Sequence, residues 1–165
     1  MTTFFGKYRG TVTGDLDPQQ RGRVQVAVPA VLGDGRSAWA EVCVPYAGDK
    51  VGLWAVPPAG ANVWVEFEGG DPERPILAGC FWGDRQAPAD QPDPMVKIWR
   101  TEAVTLTLSD VPGKGGLTVE VGSPAVTAPM TLVMGPDGIA LSIGSSKIEL
   151  TQTSVSVNGG ALEVV

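Results

Sequence analysis

Leu141-Ser-Ile143-Gly-Ser-Ser-Lys-Ile148-Glu-Leu150-Thr-Gln-Thr-Ser-Val155-Ser-Val157-Asn-Gly-Gly-Ala-Leu162-Glu-Val164 places an apolar-x-apolar pair at every seventh residue. The pairs are Leu141/Ile143, Ile148/Leu150, Val155/Val157 and Leu162/Val164. In a helix, residues two apart lie on different faces, whereas in a strand they share one. Val, Ile, Thr and Ser dominate the stretch, and Gly159-Gly160 and Gly144-Ser145-Ser146 would interrupt any helix. Each unit therefore reads as a short strand, a tight corner and another short strand. A segment this short cannot cover its own apolar face, and as a single-chain solenoid it would supply little more than one coil with open ends. Three copies, each giving one face per layer, would close it, with all eight residues on the trimer axis. An antiparallel edge of a β-sandwich is the alternative reading.

Composition narrows the function. Among 165 residues, 12 Lys+Arg face 18 Asp+Glu, a net charge of −6 that argues against a nucleic-acid groove. Charged residues make up only 18%, while 22 Gly and 14 Pro supply turns, so the chain reads as all-β with short strands. His is absent, which removes Ser-His-Asp, Cys-His and His-ligated metal chemistry. Two Cys are too few for a zinc site; Cys43 and Cys80 sit in apolar runs and are expected to be buried free thiols. Met1-Thr-Thr-Phe-Phe5 has neither a basic start nor a long apolar core, so no signal peptide is expected, and synthesis in the cytoplasm follows. No run is long enough to span a bilayer.

Residues 1–83 carry five strand-like runs: Lys7–Thr13, Arg23–Pro29, Trp39–Pro45, Asn62–Glu68 and Ile76–Trp82. Asp17-Pro18, Gly33-Asp-Gly35, Pro57-Pro-Ala-Gly60 and Gly69-Gly-Asp-Pro72 punctuate them. This spacing suits a five-stranded Greek-key barrel of the OB type. Trp39, Trp54, Trp64 and Trp82 would fill its core or meet a neighbour. Residues 84–97 are polar and proline-rich and read as a linker. Residues 98–165 alternate apolar with Thr, Ser and Glu and read as a β-helical stalk, its register open between Val121 and Gly135, where Pro124 and Pro129 interrupt the pattern. Glu66 and Glu68 share a strand face but read as solvated rather than as a glycosidase pair. Gly113-Lys-Gly-Gly116 lacks the spacing of a phosphate loop and reads as a hairpin turn. No catalytic, cofactor or metal constellation emerges, so a structural protein rather than an enzyme is expected.

Several segments in order carry a resemblance: Gly10-Thr-Val12, Asp17-Pro18, Gly22-Arg-Val-Gln-Val-Ala-Val-Pro29, Trp39-Ala-Glu-Val42, Pro45-Tyr-Ala-Gly48, Pro58-Ala-Gly60, Val63-Trp-Val-Glu-Phe-Glu-Gly-Gly-Asp-Pro72 and Pro75-Ile-Leu-Ala-Gly79. They resemble the OB domain of the central spike of contractile tails, the phage baseplate assembly protein V group, which is related to type VI secretion spikes. Residues from Ile98 onward resemble the trimeric β-helix that follows in that family. The resemblance implies a homotrimer in a virion baseplate or injection-system particle. It implies a separate hub protein at the OB end, because no hub-like domain precedes the barrel here. It implies a PAAR-type tip protein at the C-terminal end, since without His there is no histidine-held apex metal. The stalk would breach a target cell envelope when the sheath contracts. The competing reading is an OB module for single-stranded nucleic acid or oligosaccharide, oligomerised by its tail; that reading needs basic and aromatic residues on one face.

Overall fold

Period-two alternation dictates the N-terminal half: Val24, Val26 and Val28, then Val63, Val65 and Phe67, must all face one way along their strands. A computed structural model of the chain describes residues 2–89 and 93–164, apart from the side chains of Glu163 and Val164. It divides into two compact units, Met1–Gln86 and Ala87–Val165.

The first unit is a closed barrel. Its wall is β1 (Tyr8–Gly14), β2 (Val24–Ala27), β3 (Ala38–Val42), β6 (Asn62–Phe67) and β7 (Pro75–Cys80), in the order β1-β2-β3-β7-β6 and back to β1. β3 and β7 run parallel; the other neighbours are antiparallel. A four-residue helix α1 (Pro29–Leu32) follows β2, with Pro at its start where the missing N–H costs nothing. A small hairpin, β4 (Ala47–Gly48) and β5 (Val51–Gly52), stands apart from the barrel wall. The core is Val12, Val24, Val26, Val28, Ala40, Val63, Val65, Phe67 and Leu77. Phe4 and Tyr8 pack against it, the Phe4 and Tyr8 rings lying 6.3 and 5.7 Å from the Phe67 ring.

Three expectations change here. None of Trp39, Trp54, Trp64 and Trp82 belongs to the core, and Trp54 and Trp82 are largely exposed. Five short strands leave an interior that Val, Ala, Leu and a single Phe already fill. Cys43 and Cys80 are both free but exposed, not buried. Cys43 lies one residue past β3 and Cys80 is the last residue of β7, where the wall ends. The expected strands are present with ends shifted by up to three residues, because Pro29 opens α1 and residues beyond Val42 leave the wall.

The second unit is one eight-stranded antiparallel meander: β8 (Val96–Arg100), β9 (Val104–Ser109), β10 (Gly116–Val121), β11 (Met130–Gly135), β12 (Gly138–Ile143), β13 (Ser146–Leu150), β14 (Val155–Val157) and β15 (Leu162–Val164). Each corner between repeats is a chain reversal. The corners are Gly144-Ser145, the four residues 151–154 and the four residues 158–161. In the second, Thr151 Oγ1 accepts from the Ser154 and Thr153 N–H groups at 3.0 and 3.3 Å. In the third, Asn158, Gly159 and Gly160 all take positive φ. At the 136–137 corner, Gly138 has no alternative: a Cβ there would stand 2.1 Å from the Leu150 carbonyl oxygen. Gly113-Lys-Gly115 lies in the β9–β10 connection, with Gly113 and Lys114 in its turn, and Gly116 opens β10 opposite Ser109.

Candidate functional site: an unpartnered apolar face

Residues directly opposite each other on paired strands share a face of the sheet, as do residues two apart on one strand. The register therefore sorts the C-terminal unit into rows. The central row runs Trp99, Leu106, Val119, Leu132, Leu141, Ile148, Val157 and Leu162, each paired with the next. Beside it runs Lys97, Leu108, Leu117, Met134, Ile139, Leu150, Val155 and Val164. On its other side run Val104, Val121, Met130 and Ile143, ending at Ser146. The opposite face carries Thr105, Thr107, Thr118, Glu120, Thr131, Ser142, Lys147, Glu149 and Ser156, with Ile98, Val133 and Ala140 among its apolar members. There Thr131 and Ser142 hydroxyls hydrogen-bond across the strands, and Lys147 Nζ pairs with Glu149 at 2.6 Å.

One face is thus apolar but for Lys97 and Ser146, the oily face, and the other is mostly Thr, Ser and charged residues. Of the residues expected on the trimer axis, Leu141, Ile143, Ile148, Leu150, Val155, Val157 and Leu162 all stand on the oily face, and the side chain of Val164 lies outside those described. No described residue of this unit is buried; Leu141, Ile143 and Ile148 are about half exposed, at 49%, 52% and 49%. The face also extends far beyond the repeats. Trp99, Leu106, Leu108, Val119 and Leu132 were legible as alternating residues, but only the pairing aligns them with the repeats. The face narrows as well: β9 to β12 each present three inward positions, whereas β14 and β15 are three residues long. Contiguous apolar surface on this scale marks an association site.

Polar chemistry in the barrel is taken up locally. Glu66 and Glu68 do not converge: Glu66 pairs with Lys7 at 2.6 Å and Glu68 with Arg74 at 2.9 Å, all four exposed. The Arg9 guanidinium sits over the Trp64 and Phe81 rings together, 4.8 and 4.7 Å from their centres, while the two rings lie 4.8 Å from each other. Asp17 anchors the β1–β2 connection. Its carboxylate accepts from the backbone N–H groups of Gln19, Arg21 and Arg23 at 2.9, 2.9 and 3.3 Å, and from Arg23 Nε and Nη2 at 3.2 and 2.8 Å. The Arg23 guanidinium, with help from those N–H donors, holds the Asp17 carboxyl well below the usual carboxylate range, outweighing the opposing effect of burial. The Arg23 guanidinium also lies 5.3 Å from the centre of the Trp39 ring. Among the described residues, no three acidic, Cys or His side chains gather into a metal site.

Residues 8–82 match the type VI secretion system/phage-baseplate injector OB domain, and residues 95–163 match the phage baseplate V C-terminal trimerisation domain. Type VI secretion system spike protein VgrG3 of Vibrio cholerae is 36% identical over 87 residues, 49% of this chain. Type VI secretion system spike protein VgrG5 of Pseudomonas aeruginosa is 29% identical over 85 residues, 50% of this chain. Actin cross-linking toxin VgrG1 of Vibrio cholerae is 33% identical over 89 residues, again 50%. The chain spans only about a tenth of the length of these relatives, 9%, 10% and 8% in turn.

Proposed function

The chain belongs to the phage-baseplate and type VI secretion family of structural spikes of injection machines, and from that premise we propose a mechanical role, executed as a homotrimer. Three C-terminal sheets turn their apolar faces inward and share one dry interior. Leu141, Ile148, Val157 and Leu162 run up its centre, flanked by Ile143, Leu150, Val155 and Val164. The Thr-, Ser- and charge-bearing faces remain in water. The narrowing toward β15 supports a pointed end. Stiffness follows from the ladder hydrogen bonds and from turns of two to four residues at the last four corners, which leave little to flex.

In the assembled machine the OB barrel seats on a separate hub protein, a PAAR-type tip protein covers the C-terminal end, and contraction drives the stalk through the target envelope. The observation that carries this reading is the two-faced sheet, whose oily side has no cover within its own unit, in a region that matches a trimerisation domain. No site for a cofactor enters the proposal; rigidity is the product. Light scattering on the purified chain tests it. Three chain masses in one particle are expected. A stable single copy with a protease-resistant stalk would overturn it.

A further inference from the structure

Around the β4–β5 hairpin, four large apolar side chains fall within nine residues. Tyr46, Val51, Leu53 and Trp54 are 62%, 53%, 42% and 70% exposed. The hairpin has two residues per strand and pairs with no other strand. An isolated two-stranded ribbon is marginal in water, so one this small needs cover. Its base is held: Leu53 N–H bonds the Tyr46 carbonyl at 2.9 Å, and the Trp54 ring rests on Gly22, where a Cβ would come within 3.0 Å of the ring. Between hairpin and barrel wall lies a cleft bordered by Arg21, Glu41 and Val44. Its charges cancel, since Arg21 pairs with Glu41 at 2.8 Å and the hairpin tip carries Asp49 beside Lys50.

We infer that this hairpin docks onto the barrel of a neighbouring copy of the same chain. The inference rests on the trimer reading above. Residues 87–95 connect the barrel unit to β8, and nine residues reach at most about 30 Å. Once the stalks associate, each barrel is confined near two others at an effective concentration on the order of millimolar. Residues 1–86 carry 8 Lys+Arg and 10 Asp+Glu, a net charge of −2, so little long-range repulsion opposes the approach of one barrel to the next, and contact through an apolar patch whose own charges cancel removes the most apolar surface from water. In a three-fold ring the contact is head-to-tail, so the hairpin of one copy meets a different surface of the next, and the ring closes after three.

Photo-crosslinking in the full-length chain tests this, with Tyr46→p-benzoylphenylalanine and, as a second probe position, Trp54→p-benzoylphenylalanine. Illumination is expected to give covalent dimers and trimers on a denaturing gel. Adding Leu53→Asp to the Tyr46 probe should cut that ladder by about tenfold or more while the particle keeps its three-chain mass. A three-chain particle in which both probes react only within their own chain, or not at all, overturns the docking surface and leaves the trimer standing. A one-chain mass overturns both.

Discussion

In the barrel, every second residue of β6 is buried; in the C-terminal sheet, the equivalent Leu141, Ile143, Ile148 and Leu150 of β12 and β13 remain about half exposed. The two regions share the same alternation, so alternation alone does not make an interior. The barrel succeeds because β1 pairs with both β2 and β6, and the sheet closes on itself. Its inner face then packs against itself, and Val12, Val24, Val26, Val63 and Val65 are shut off from water within one chain. The C-terminal sheet pairs each strand only with its sequence neighbours, and β8 and β15 each have a single partner. None of the described residues of that unit is buried beneath its apolar rows. One region is therefore a self-sufficient fold, and the other is built to be completed by copies of itself.

The largest test of that contrast is Val155→Asp. It would place three like charges in a dry interior, and burying an unpaired charge costs far more than a stalk can recover. The mass should fall to one chain and the stalk should become protease-sensitive, while the barrel keeps its cooperative melt. Persistence of the three-chain mass would remove Val155 from the shared interior. Leu77→Ala is the reciprocal experiment. Leu77 is 5% exposed in the barrel core, and truncation should cost the barrel about 2–5 kcal/mol, read by chemical denaturation, with no loss of trimer mass. If the trimer dissociates together with the barrel, the two units are not independent.

Asp17→Asn gives the smallest and most local effect. The folded Asp17 carboxyl lies below the ordinary range, so its contribution is fully present above the unfolded carboxylate range, near pH 4, and is lost as pH falls further. The variant should lower barrel stability at neutral pH and flatten the acid limb of its stability profile, leaving the stalk unchanged. An identical acid slope in both proteins would mean that the Arg23 pairing does not act on folding.

Legibility differed between the two regions as well. The five barrel strands could be read because Val24-Gln-Val-Ala-Val28 and Val63-Trp-Val-Glu-Phe67 alternate between firm turn signals, and Gly22 and Gly70 adopt the positive φ that their turns require. Their spatial order could not: the parallel pairing of β3 with β7 joins residues more than thirty positions apart in sequence. The small hairpin at Ala47–Gly52 escaped notice because two-residue strands carry no period. The buried positions assigned to Cys43 and Cys80 failed because an apolar neighbourhood in sequence does not reveal where a wall ends. In the stalk, the repeat pointed to its face directly, but Pro124 and Pro129 hid how β10 meets β11 until the pairing of Val121 with Met130 resolved it.

The amino-acid sequence by itself determined which side chains seek shelter from water, because period-two alternation assigns every residue to a face before any partner is chosen. Tertiary structure alone decided whether a chain could provide that shelter. Closure depends on which distant strands hydrogen-bond, and that choice joined the ends of the first sheet and left those of the second apart.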